Sequence, residues 1–154
     1  AKNAYLICGL HKYSPKSKIR VRDEKAYAVD VALMNNRENA LAGDNLGWRL
    51  ETIVFIELLR RYRPLECDVY YYDETSGEAD FLVCKGNSVQ KIIQVSYDIS
   101  NPKTYKREIN GLLLVSSKTE CNDLLLITDH DEQSCVADGK KIDIIPAYSW
   151  LVEK

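Results

Sequence analysis

Long apolar runs are missing from this sequence. Nothing approaches the ~18 residues that a membrane-spanning helix needs, and no signal-peptide pattern is read at the start. Histidine is scarce, limited to His11 and His130. The five cysteines (Cys8, Cys67, Cys84, Cys121, Cys135) form no C-x-x-C pair and are odd in number. That argues against both a zinc site and a disulfide framework, and reduced thiols in a cytoplasmic protein are the simplest expectation. No G-x-x-x-x-G-K-[ST] run occurs, so ATP hydrolysis by this chain is not expected. Internal repeats and low-complexity tracts are absent too. The net charge of -2 does not mark the whole chain as a polyanion binder, so any nucleic-acid interaction must rest on a local patch.

What is present reads as a folded domain. Hydrophobic residues make up 45% and charged residues 29% of 154, which suits one domain of ordinary size, or one with a small appendage. The chain opens directly into a strand-like AYLICGL and is expected to be part of something longer. Ala4–Leu10 and Ile19–Arg22 read as a hairpin joined across Pro15, and Lys25–Val31 as a third, alternating strand. This opening is basic, with Lys12, Lys16, Lys18, Arg20, Arg22 and Lys25 close together. Two readings stand. One is a wing-like hairpin touching a phosphate backbone, chiefly through Lys16, Lys18, Arg20 and Arg22. The other is an edge strand that lysines keep soluble.

Residues 35–47 are polar and turn-rich, a loop or a short helix. A helix is expected over Leu46–Arg63, where Leu50, Ile53, Val54 and Leu58 recur at helical spacing and Pro64 stops it. Glu51 falls on or beside its apolar face, where it either serves chemistry or pairs with Arg49, Arg60 or Arg61. Three strands follow: Val69–Tyr72, Ala79–Cys84 and Val89–Val95, with turns at Thr75-Ser76-Gly77 and Lys85–Ser88. Asp80 enters the middle strand ahead of apolar residues. A carboxylate there requires a charge partner, a metal or solvent.

Pro102–Lys118 reads as a second helix, with Tyr105, Ile109, Leu112, Leu113 and Ser116 on its apolar side and Lys103, Lys106 and Arg107 on its wet one. Leu124–Thr128 (LLLIT) is a buried strand of the parallel kind. Asp138-Gly139 turns a hairpin between Cys135–Ala137 and Lys141–Ile145, and Trp150 anchors a terminal amphipathic turn at Tyr148–Val152. Helix, three strands, helix, strand, strand describes an α/β fold with a mixed central sheet flanked by helices, preceded by a short β-rich segment.

Alternation lets Asp80, Gln94 and Ser96 share a face, with Glu51 able to reach the same corner. Two acids, an amide and a backbone carbonyl make a ligand set for a hard divalent cation such as Mg²⁺ or Mn²⁺. The plainer account is that Asp80 caps a turn, Gln94 satisfies a buried backbone group and Glu51 pairs with Arg49.

The runs GWRLETIVFIELLRR, VYYYDETSGEADFLV, KIIQVSYDISNPKTYKREINGLL, LLLITDHDE and KIDIIPAYSWL resemble one family. It is the C-terminal domain of unknown function attached to a large group of prokaryotic predicted AAA-type ATPases, related to the PD-(D/E)xK restriction-endonuclease-like superfamily. The resemblance covers roughly residues 25–152 and rests most on E-A-D-F and Q-V-S-Y-D-I-S. It implies a restriction-endonuclease-like core over 25–154. Residues 1–24 would be a basic hairpin, the wing of a truncated winged-helix module, with the ATPase on the same full-length protein. It also implies that Glu51 and Asp80 match the superfamily acids, that Gln94 occupies the (D/E) position and that Ser96 stands where the lysine belongs. Losing the lysine removes the cation that orients the attacking water, with Lys85, Lys91 and Lys106 as replacements to consider. Three functions follow: a catalytically impaired DNA-binding or regulatory module, a Mg²⁺- or Mn²⁺-dependent nuclease using Glu51, Asp80 and Gln94, or a protein–protein adaptor of the ATPase.

Overall fold

The computed structural model describes residues 6–14, 23–34, 45–75 and 77–153. Two short strands come first: β1 (Ile7–His11) and β2 (Glu24–Ala28) pair antiparallel, with His11 opposite Glu24 and Ile7 opposite Ala28. Ile19–Arg22, expected as the partner of the first strand, lies outside the described residues, and the strand expected as third is the one that pairs with β1. It ends at Ala28 instead of Val31. Asp30 Oδ1 accepts the Ala32 N–H at 2.8 Å, and Val31–Met34 tightens into a 3-10 turn. The division between residues 24 and 25 falls inside β2, and buried Leu10 and Tyr27 lie in one core layer with the first helix.

That helix, α1, spans Leu46–Tyr62 and buries Leu50, Thr52, Val54, Phe55 and Leu58. Pro64 cannot extend it, so Arg63–Leu65 winds as a 3-10 turn and Glu66 reverses the chain in the left-handed region (φ 56°). β3 (Asp68–Glu74), β4 (Gly77–Lys85) and β5 (Ser88–Val95) then form the antiparallel meander. The second helix, α2 (Pro102–Thr119), is capped by Asn101, whose side chain accepts the Lys103 N–H. It carries the chain over to β6 (Leu124–Thr128), parallel to β5. β7 (Gln133–Ala137) and β8 (Lys140–Pro146) form the last hairpin. Asp138 (φ 50°) and Gly139 (φ 72°) are both left-handed, as a type I′ turn demands. α3 (Ala147–Val152) closes the chain.

The sheet order is β3-β4-β5-β6-β8-β7, with β6 parallel to both neighbours. All five residues of β6 are buried, as a central parallel strand covered on both faces requires. Strand alternation sorts the core into two layers. Ile92, Leu124, Leu126 and Ile142 pack under α2, whereas Ile93, Leu125 and Ile127 pack under α1 and α3. The α1 layer holds a row of rings, Tyr27 to Phe55 at 4.5 Å and Phe55 stacked on Phe81 at 5.9 Å between centroids. Each such pair contributes about 1 kcal/mol beyond its buried area. Among the described residues no helix is long and apolar enough to cross a membrane.

On α2 the buried residues are Glu108, Ile109, Leu112, Val115 and Ser116. Tyr105 and Leu113, expected on that face, are only partly buried at its margin. The glutamate in their midst is the departure that shapes the site.

Candidate functional site

The site begins with a bulge in β4. Tyr70 faces Leu82 and Tyr72 faces Ala79, so two residues, Asp80 and Phe81, stand opposite Tyr71 alone. Ala79 and Leu82 both pack under α2, and the extra residue breaks the alternation between them. Asp80 thereby comes beside Phe81, within electrostatic reach of Glu51 and Lys25.

Backbone pairing of β4 with β5 starts only at Phe81 opposite Ile93. Beyond it, side chains take over the ladder. The Asp80 N–H donates to Gln94 Oε1 at 3.2 Å, and the Val95 N–H donates to Asp80 Oδ2 at 2.9 Å. Asp80 is 8% exposed. Burial first, and then the nearby Glu51 charge, push its carboxyl up to about 8; Glu108 adds to the rise, while the Val95 N–H and Lys25 oppose it.

Glu51 accepts a hydrogen bond from the Tyr27 hydroxyl at 2.5 Å. Burial and the Glu51 carboxylate hold that hydroxyl well above its ordinary pKa. Among the described residues no arginine takes Glu51: Arg60 and Arg61 both bind Glu57, and Arg49 Nε is buried without a partner. Gln94 faces the other way. Its Nε2 donates to Glu108 Oε2 at 2.8 Å, and Glu108 is 2% exposed. Arg107 completes the group, donating from Nε (3.1 Å) and Nη2 (2.5 Å) to Glu108 Oε1. Ser96 turns its hydroxyl outward to the Asp98 carbonyl at 3.3 Å.

Of the four expected residues, Asp80 bonds Gln94 through its N–H and feels the Glu51 charge, while the Ser96 hydroxyl bonds the Asp98 carbonyl. Glu51 and Asp80 form one pair on the α1 side, and Gln94 is drawn toward α2. Among the described residues no group of three or more His, Cys, Asp or Glu side chains is placed to hold a metal ion. Gln94 also has its oxygen committed to the Asp80 N–H. Of the suggested replacement cations, Lys91 pairs with Asp123 at 3.3 Å, and Lys85 and Lys106 are exposed. Among the described residues, Lys25 and Arg107 are cations that interact electrostatically with Asp80. Lys16, Lys18, Arg20 and Arg22 lie outside the described residues.

Four residues of this site were missed from sequence: Lys25, Tyr27, Arg107 and Glu108. Signals for two were present. Glu108 lies four residues before Leu112, on the buried face, and Tyr27 alternates in step with Lys25. Beside Glu108 opens a cavity of about 280 Å³, lined by Glu78, Gln94, Arg107, Asn110, Gly111 and Leu114 among others.

No family model matches the chain. No solved structure matches it significantly either. It is similar to the uncharacterized protein MJ1544 of Methanocaldococcus jannaschii, 31% identical over 158 residues, which cover 96% of this chain and 33% of the relative. An uncharacterized protein of Haemophilus influenzae is 31% identical over 154 residues, covering 98% of this chain and 34% of that protein. The chain spans about a third of the length of the curated relatives it matches.

Proposed function

We propose that this chain is an endonuclease-like domain of a larger prokaryotic cytoplasmic protein, joined there to a winged-helix region and an AAA-type ATPase. It serves as a DNA-binding regulatory module and does not hydrolyse phosphodiesters. The observation that carries this reading is the position of Gln94. Its oxygen accepts from the Asp80 backbone and its amide donates to Glu108, so its hydrogen bonds tie β4, β5 and α2 together. Ser96 supplies no cation in place of the lysine that the resemblance calls for. The order of helix, antiparallel three-strand meander, helix and parallel strand supports the endonuclease-like core. Relatives three times longer leave room for further domains, and five cysteines with no C-x-x-C pair suit a reducing compartment.

The test is incubation of the folded protein with Mn²⁺ and linear or branched DNA, with Asp80→Ala alongside. No cleavage above the variant is expected, together with DNA binding that weakens with salt. Neutralising Lys16, Lys18, Arg20 and Arg22 should reduce that binding. Cleavage abolished by Asp80→Ala would overturn the reading in favour of a nuclease.

A further inference from the structure

A carboxylate as deeply buried as Glu108 requires a cation or several hydrogen-bond donors. Gln94 supplies one donor, and Arg107 supplies both charge and two more. Yet the Arg107 side chain is 75% exposed, against 3% for that of Glu108. The outer edge of the guanidinium is thus open to solvent. Two of its five N–H donors are bound to one oxygen of Glu108, which fixes the plane of the guanidinium and leaves the rest directed elsewhere. The cavity of about 280 Å³ adjoins it. Gly111 keeps that cavity's floor close to β4, since a Cβ there would meet the Glu78 carbonyl at 3.0 Å. Lys103 lies one turn before Arg107 on the same face of α2, and Lys106 is its neighbour; both are exposed.

We propose that Arg107, oriented by Glu108, holds a phosphate of the nucleic-acid backbone at the mouth of this cavity, with Lys103 and Lys106 flanking it. A planar guanidinium locked on one edge by a buried carboxylate binds a phosphate with little further loss of side-chain freedom. Glu78 is the opposing element. It is exposed, lines the same cavity and acts electrostatically on Arg107, so it weakens any anion bound there. This proposal rests on the DNA-binding reading above.

The experiment is fluorescence anisotropy of labelled duplex and single-stranded DNA across a salt series, with the intact chain and three variants. Arg107→Ala takes the cation from buried Glu108, so circular dichroism checks that it folds, and Arg107→Lys, which keeps the cation, is the second variant. Arg107→Ala should bind about 5- to 30-fold more weakly and lose about one unit of salt slope. Glu78→Gln should bind more tightly. Arg107→Lys, which keeps the charge and loses the planar fork, should retain the slope while weakening affinity. Wild-type affinity and slope in Arg107→Ala would overturn this site and leave the DNA-binding reading intact. Tighter binding in Arg107→Ala with weaker binding in Glu78→Gln would also overturn it. No salt-sensitive binding by the wild-type chain would remove the DNA-binding reading itself, and this site with it.

Discussion

Gln94 donates its amide N–H to Glu108 at 2.8 Å while its carbonyl oxygen accepts from the Asp80 backbone at 3.2 Å. Only a side chain that is both donor and acceptor completes this link. A glutamate at position 94 would face the buried Glu108 with like charge. The glutamine is thus matched to its surroundings.

Gln94→Glu should therefore destabilise the protein at neutral pH by about 3–5 kcal/mol, the usual penalty for an uncompensated buried charge. Adding Glu108→Gln should restore much of the loss, because donor and acceptor then exchange places. Urea unfolding of the two single variants and the double variant measures the coupling. Additive losses would mean that the two side chains do not act together.

The meander and the buried central strand were legible because turn chemistry and apolar runs mark them locally. Asp138-Gly139 and LLLIT needed nothing from the rest of the chain. Glu108 was not recognised, although its spacing from Leu112 puts it on the inner face, because a glutamate among arginines and lysines reads as a wet surface. The bulge at Asp80 was hidden for a different reason. Whether two residues oppose one is a property of the pairing with Tyr71, and neither strand carries it alone. Strict alternation, applied without the bulge, placed Gln94 with Asp80 on one face. The plainer account came closer at Gln94, which does satisfy a backbone N–H, and failed at Glu51, which binds Tyr27 instead of Arg49.

Tyr27→Phe removes the hydroxyl that donates to Glu51 and leaves the ring in its stack with Phe55. The cost should be about 1.5–3 kcal/mol, as for hydrogen bonds to charged groups. Thermal melts of the variant alone and combined with Glu51→Gln give the pair energy. A full-sized loss from Tyr27→Phe that persists in the Glu51→Gln background would assign the effect to packing instead.

Glu57 joins α1 to α3 through arginine. It accepts from Arg60 and Arg61, and Arg61 in turn donates to the Trp150 carbonyl at 2.6 Å and lies 4.4 Å from the Trp150 ring centre. Chiefly its bond to Arg60 holds the Glu57 carboxyl down at about 2. A depressed carboxylate stabilises the fold above its unfolded pKa of about 4.3 and loses that contribution as pH falls toward 2. Glu57→Gln should thus lower stability near neutrality and show a shallower acid limb below about pH 4.5. An acid limb identical to that of the wild type would remove Glu57 from the account.

Asp80 has the opposite sign. Its carboxyl is raised to about 8 by burial and by Glu51, so its protonated form suits the folded state. The contribution is complete below the unfolded carboxylate pKa of about 3.9 and is lost as pH rises toward 8. Asp80→Asn keeps an acceptor for the Val95 N–H and cannot ionise. Relative to the wild type it should therefore gain stability steadily between about pH 4 and pH 8, reaching a few kcal/mol at the upper end. Urea unfolding at pH 5 and pH 8 gives the difference directly. Because the Glu51 charge helps to raise Asp80, the Glu51→Gln variant should shift the same window downward, toward an ordinary carboxylate. If Asp80→Asn tracks the wild type at both pH values, the carboxyl is ionised at ordinary cost and its burial does not hold the proton.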